Sequence, residues 1–471
     1  MGNTVGLVIG IIITFLAMSS IGVYTAKKIK NSEDFTVAGK RASPIMVAGA
    51  IVGSCVGSGG TVGTAQTAFK MGLVGWWQTL GLSIGCLVLG VCLAQAIYKM
   101  QVETAPQLLE RNYGSLIRPV TAIFSSIAIF LSILSQTKGF LPLLTSMIPM
   151  PLYWAAIICV GLVLLFVLFG GIFATSMGGL LKIFLILGSL LLSGAIATVA
   201  MGGFSGMTQT FEFDPWLNLF SRGVSKDLAI GLGFVLGILV TQTYIQAVLS
   251  ARDAKAARNG AILAAIFTCP VGLFGVAVGL YMRQFFPDID ASQAFPLFMI
   301  NTFPSVIAGI FIGGLMLAAL GSNAGLTFGV STMLSRDLYK RIRKNADDRE
   351  MLNVLRMLIV VVAVLSGVFA VTKAGELIQT FIFLSYGMRT CVFLIPMLFA
   401  LFYKGRITKA AGMASVLAGP LVNIYWNLAK PNNIDPIYVG LAAAFLAFVI
   451  ANEIAKRTTL ATPVVQSPKE K

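Results

Sequence analysis

Long apolar blocks alternate with short polar joints along the whole chain, and this pattern predicts helices that cross a membrane. The blocks run about 20 residues or more, enough for helix to span roughly 30 Å of hydrocarbon. Thirteen spans are expected, at 5–26, 44–69, 72–98, 120–147, 152–169, 172–201, 228–249, 261–285, 305–334, 352–371, 377–402, 410–428 and 437–455. Gly, Pro, Asn or a charge cluster closes each block. The stretch 286–304 is expected to lie along the surface as a short helix, and no loop is long enough for a separate domain.

Composition agrees with the pattern. Of 471 residues, 57% are hydrophobic and only 11% charged, against about 25% charged in a soluble domain. The mean hydropathy is +0.88. A net charge of +16 raises the question of nucleic acid, but the basic residues sit in short joints between apolar blocks, so the partner they imply is the lipid bilayer.

Charge then orients the chain. With the N-terminus outside, 25 Lys and Arg fall in inner joints, six in outer joints, and three inside spans (Lys138, Lys182 and Arg389). This bias predicts a multi-pass protein of the cytoplasmic membrane with its C-terminus inside. In the first block the positive charges follow the apolar run (Lys27, Lys28, Lys30), so it is read as a retained helix and not a signal peptide.

Absent chemistry narrows the function. There is no histidine, which removes Ser-His-Asp catalysis, His-ligated metal and an imidazole proton relay. The six cysteines lie in apolar blocks without CxxC spacing and read as small packed thiols. No acid lies deep in any span. An enzyme is therefore not expected, no cofactor is implied, and no ring of charge suggests a channel filter.

The second span carries five glycines within residues 53–63. Each costs about 1 kcal/mol of helix stability relative to Ala, and unwound backbone survives in a bilayer only where it is buried in protein or lines a cavity. A broken helix at a transport site is one reading; close packing through small residues is the other. A polar patch in the ninth span, Gly321 to Thr327, suits either a lined pathway or interhelix hydrogen bonds.

Four segments carry a resemblance. They are Asp34 to Arg41 followed by Pro44; Gly170-Gly171-Ile172-Phe173-Ala174-Thr175-Ser176; Gln246 to Asp253 with Arg258; and Ala318 to Ser322 with Ser331-Thr332 and Arg336-Asp337-Leu338-Tyr339. In this order and on these spans they resemble the sodium:solute symporter family. The resemblance implies an all-α carrier with a five-plus-five inverted repeat, 44–201 and 228–402. A leading helix precedes it, two trailing helices follow at 410–455, and a polar tail occupies 456–471. The whole chain, 1–471, is then one transporter domain that moves a small-molecule solute by alternating access.

The resemblance also places a sodium ion between the broken helix and the ninth span. Carried over, the carbonyls of Gly53 and Val56 would contribute, and the hydroxyl pair falls on Gly321 and Ser322. The family's carboxylate falls on Gly179, and Lys182 stands where the family often has Gln. One carboxylate and one hydroxyl are missing, and an ammonium sits about one turn away on the same helix. Three readings stay open: Lys182 replaces the ion, with proton coupling or plain exchange; a residual sodium site survives at Gly53, Val56 and Ser322; or Lys182 snorkels. Candidate substrate contacts are Ser54, Ser58, Gly59, Thr61, Gln136, Lys138, Gln242, Tyr386 and Arg389. Intramembrane cations without acids favour an anionic solute, a carboxylate being the example. The alternative is that Lys138 reaches the outer interface and Arg389 braces a helix bend. A membrane sensor on the same fold is the rival class, and saturable counterflow separates it from a carrier.

Overall fold

The structure, a computed structural model, describes residues 2–26, 42–99, 105–176, 179–403, 407–429 and 431–457. The segment 34–41 and the tail 458–471 therefore lie outside the described residues. So do the side chains of residues 168–183, those of Gly179 and Lys182 among them. The described chain is all helical, without a named strand. Seven of its helices are long and apolar enough to cross a bilayer, or nine when two bent pairs are each taken as one span. Shorter apolar helices at 4–17, 44–55 and 152–167 fall where the sequence predicts further spans.

The first helix, α1 (Gly2–Ala26), lies along a later helix, Ser305–Met333. Small residues let the backbones touch: a Cβ added at Gly10 would stand 2.2 Å from the Val306 carbonyl oxygen. Next come α2 (Pro44–Cys55) and α3 (Val62–Met71), separated by a break. Ser43 caps α2 by accepting from the Met46 N–H, and Pro44 opens its first turn. A 3-10 turn, Gly72–Trp76, leads into α4 (Trp77–Val88), and a π turn at Leu89–Leu93 continues it to α5 (Ala94–Lys99).

A short amphipathic helix, α6 (Ala105–Tyr113), precedes α7 (Ile117–Thr145), α8 (Leu152–Ser176) and α9 (Gly179–Ala200). The sequence reading ended one span at the Gly170-Gly171 pair. The helix instead runs on to Ser176, because two glycines inside a long apolar segment do not release enough backbone to stop it. After α10 (Gly203–Thr210) comes a second broken helix, α11 (Val224–Val240) and α12 (Gln242–Leu249), bent by 45°.

The chain continues through α13 (Ala254–Phe285), α14 (Ala294–Thr302) and α15 (Ser305–Met333). It ends with α16 (Lys340–Ile342), α17 (Asp348–Thr372), α18 (Ile378–Phe402), α19 (Lys409–Ala429) and α20 (Pro436–Arg457). The expected surface helix at 286–304 corresponds to α14 and the 3-10 turn before it.

The two broken helices are tied at one end. Ala42, just before α2, donates to the Ser250 carbonyl at 3.1 Å and accepts from the Arg252 N–H at 3.0 Å, just after α12. Arg118 bridges Asp337 at 2.8 Å and Glu110 at 3.3 Å, joining α6, α7 and the π turn Leu334–Tyr339 after α15. Around the bundle, large apolar side chains stand exposed, among them Leu16, Ile157, Val199 and Val368, as expected of faces that meet lipid.

Candidate functional site

Residues 56–61 are unwound. Val56 leaves helical geometry at φ −91°, ψ 72°, and Thr61 sits at φ −111°, ψ −91° before α3 begins. The break is buried and held from two sides. Gln136 on α7 accepts from the Ser58 N–H at 3.1 Å and from its hydroxyl at 2.8 Å; that hydroxyl also reaches the Ser135 carbonyl at 3.2 Å. On the other side, Gln78 oriented to satisfy its neighbours donates to the Gly59 carbonyl at 2.9 Å and accepts from the Gly60 N–H at 3.1 Å. The glycines are needed for this approach: a Cβ at Gly57 would stand 2.6 Å from Gln136 Nε2, and one at Gly59 would stand 2.8 Å from Gln78 Nε2. Thr61 closes the loop on the Gly57 carbonyl at 3.1 Å.

Immediately beyond the break, α3 is bonded to α18. Gln66 accepts from the Ile378 N–H at 3.0 Å, and Gln379 donates to Thr64 at 3.2 Å and to the Gly75 carbonyl at 3.0 Å. Polar groups freed by unwinding are thus met by glutamines from two other helices, Gln136 and Gln78, which is what survival inside hydrocarbon requires.

Where the sequence places the candidate cation site, Val52, Gly53 and Val56 face Ile186 and Leu187 of α9 across a narrow crevice. The α9 helix packs on both α2 and α15. Position 182 belongs to this helix, one turn before Ile186; its side chain is outside the described residues. Gly321 and Ser322 are half-buried on α15, and a Cβ built at Gly321 meets no described atom within 4 Å. The polar patch continues as interhelix bonding: Asn323 donates to Thr137 at 2.7 Å and accepts from Thr327 at 3.2 Å.

The other two intramembrane cations are far from equivalent. The Lys138 ammonium donates to the Lys373 carbonyl and, at 3.2 Å, to that of Ala374, beyond the end of α17, with the Phe381 ring 5.2 Å away. It serves as a helix-end cap there. Arg389 is buried, 5% exposed. Its Nη2 donates to Ser132 at 2.7 Å and Ser385 at 2.8 Å, and Nη1 to Thr241 at 3.4 Å. Its guanidinium lies over the Tyr386 ring at 5.4 Å. Tyr386 shares a hydrogen bond with Tyr244 of α12.

The structure thus brings Ser58, Gly59, Thr61 and Gln136 together at the first break, with Tyr386 and Arg389 beside the second. Ser54 is exposed and bonds back to the Ala50 carbonyl at 3.0 Å, apart from this network. Gln242 opens α12 directly after the second break. Sequence reasoning missed that second break and the residues around it, Thr241, Tyr244 and Ser132, as well as Gln78. No glycine run marks residue 241. The signal available was the polar run Thr241-Gln242-Thr243 inside an otherwise apolar span.

The family model for the Sodium:solute symporter family matches residues 35–419. The chain belongs to that family. It is 23% identical to the osmoregulated proline transporter OpuE of Bacillus subtilis, over 98% of this chain and 97% of that one. It is 24% identical to sodium/proline symporter 2 of Staphylococcus saprophyticus, over 95% and 92%, and 22% identical to mouse solute carrier family 5 member 4A, over 89% and 71%. Among solved structures, it matches a Na+-coupled sialic acid symporter in a substrate-bound outward-open state with a TM-score of 0.73 at 17% identity, over 99% of both chains. Mhp1 in an inward-facing conformation matches with a TM-score of 0.59 at 14% identity, over 91% and 94%. This family member is accordingly an integral membrane, multi-pass secondary transporter of a small-molecule solute, and not an enzyme.

Proposed function

We propose that this symporter-family protein carries a small anionic organic solute across the cytoplasmic membrane by alternating access, with the Lys182 ammonium taking the place of a coupling sodium ion. The unit is one transporter domain. Its repeats are 44–201 and 228–402, related by inversion within thirteen spans, with the N-terminus outside and the tail inside. The pairing of one broken helix with a second, tied at a common end through Ala42 and Arg252, supports the repeat.

One observation carries the coupling reading. The start of the break at Val56, with Gly53 in the last turn of α2 before it, faces the helix that bears position 182, in a chain that has Gly at 179 and 321, where a sodium cage needs oxygens. A Lys head group has three donors for freed carbonyls and needs no metal. Release and rebinding of a proton at Lys182, as the means of coupling, belongs to the same proposal. Substrate contacts are assigned to Ser58, Gly59, Thr61, Gln136 and Tyr386, with Gln242 and Ser54 at the margins. Lys138 is occupied by the Lys373 and Ala374 carbonyls and is left out of the set.

The relatives' names favour a second reading, sodium-coupled uptake of an amino acid, with Gly53, Val56 and Ser322 holding a residual sodium. Uptake into proteoliposomes separates the two, with and without sodium, at pH 6 and pH 8. Under the proposal sodium has no effect and Lys182→Ala abolishes coupled accumulation. A clear sodium requirement in the unaltered protein refutes it.

A further inference from the structure

Among the described residues, Arg389 is the one buried cation whose partners do not explain it. Its described hydrogen-bond partners are three neutral hydroxyls, Ser132, Ser385 and Thr241. Those hydroxyls are themselves committed: Ser385 to Ser132 and to the Ala128 carbonyl, and Thr241 to the Gly237 carbonyl at 2.7 Å. The Arg389 Nε is buried and unpartnered. Among the described residues the one buried acid is Asp227, and it is paired with Arg222 at 2.5 Å. A guanidinium kept out of water without a counter-charge is costly. Its fork geometry fits a carboxylate.

Its position is equally telling. Thr241 is the residue at which α11 gives way to α12. Ser132 is one helical turn from Gln136, which holds Ser58 at the first break. Arg389 therefore stands between the two unwound points, walled by the phenols of Tyr244 and Tyr386. A bracing arginine at a helix bend satisfies backbone carbonyls; here the bonds go to side-chain hydroxyls instead, and the Nε nitrogen is left without a partner.

We infer that Arg389 is the carboxylate subsite of the carrier, and that the solute it takes is a monocarboxylate without an α-ammonium group. A zwitterion would bring a second charge into a region where the described residues offer it no acid. The inference deepens the carrier reading above and rests on it.

Counterflow in proteoliposomes holding the full chain tests it. The probes are radiolabelled propionate, lactate, pyruvate and benzoate, each challenged by its own amide, with proline alongside. At least one acid exchanges saturably, and its amide competes about tenfold or more weakly, as expected for loss of one charge-assisted hydrogen bond. Arg389→Gln removes that acid-over-amide preference, while Arg389→Lys keeps part of it. Should Arg389→Gln fold poorly, Thr241→Val serves instead and weakens the acid several-fold with the amide unchanged. Equal competition by acid and amide, or exchange of proline or an amide alone, overturns the carboxylate assignment and leaves the carrier standing. Absence of saturable exchange for every probe, proline included, takes both down.

Discussion

Replacing Gln136 by Met tests how the unwound segment is held. The side-chain volume is nearly kept, so packing costs little, but the Oε1 that accepts from the Ser58 N–H at 3.1 Å and hydroxyl at 2.8 Å disappears. The hydroxyl has a second acceptor in the Ser135 carbonyl at 3.2 Å, so its loss is largely absorbed. Gln136 is the one acceptor of that N–H among the described hydrogen bonds. An orphaned buried donor costs about 1–3 kcal/mol. With an unfolding entropy of about 2 cal/mol/K per residue, that corresponds to a fall in melting temperature of about 1–3 °C for a chain of this length. Ser58→Ala removes only the hydroxyl and leaves the N–H bond intact, so it lowers the melting temperature by less. Because both changes act on one acceptor, the double variant costs less than the sum. Thermal unfolding in detergent, followed by intrinsic fluorescence, gives all three values. An unchanged midpoint for Gln136→Met, or additivity within error, refutes the claim that this glutamine pins the break.

Three further outcomes follow from the same geometry. Gly57→Ala drives a methyl to 2.6 Å from Gln136 Nε2 and abolishes uptake, whereas Gly60→Ala, whose Cβ meets nothing closer than 3.6 Å, leaves most of it; initial uptake rates compare them. Lys138→Met releases the Lys373 and Ala374 carbonyls and lowers the melting temperature without changing solute affinity, which a binding isotherm checks. Asp253 accepts from the Ala256 N–H at 2.6 Å, and this bond holds its carboxyl below the usual carboxylate range. Its support of the first turn of α13 is therefore present above that range and is lost as pH falls through the depressed value. Hydrogen exchange at residues 254–257 shows the loss on acidification, and Asp253→Asn removes the pH dependence while keeping an acceptor.

The sequence pattern made the bundle legible because hydrocarbon imposes one rule on every span: backbone polar groups must be met within the protein. The glycine run at 53–63 marked the first break for the same reason, and the break lies within it. The second break was hidden, since residues 228–249 read as one apolar segment and the bend at Thr241 comes from its surroundings. Gly237 lets the Tyr386 ring approach, a Cβ there standing 2.3 Å from it, and Arg389 bonds the Thr241 hydroxyl. Those are tertiary causes that no local propensity records.

The three intramembrane cations show the same limit from the other side. Lys138, Lys182 and Arg389 looked alike as charges in apolar blocks, and cost alone could not rank them. Contacts separate two of them: Lys138 ends on carbonyls beyond α17, while Arg389 ends on hydroxyls between two breaks. A cation capping a helix end is satisfied whatever the solute. One left with a spare donor and no acid beside the unwound segments is not, and on that difference rests the proposal that Arg389 reads the solute.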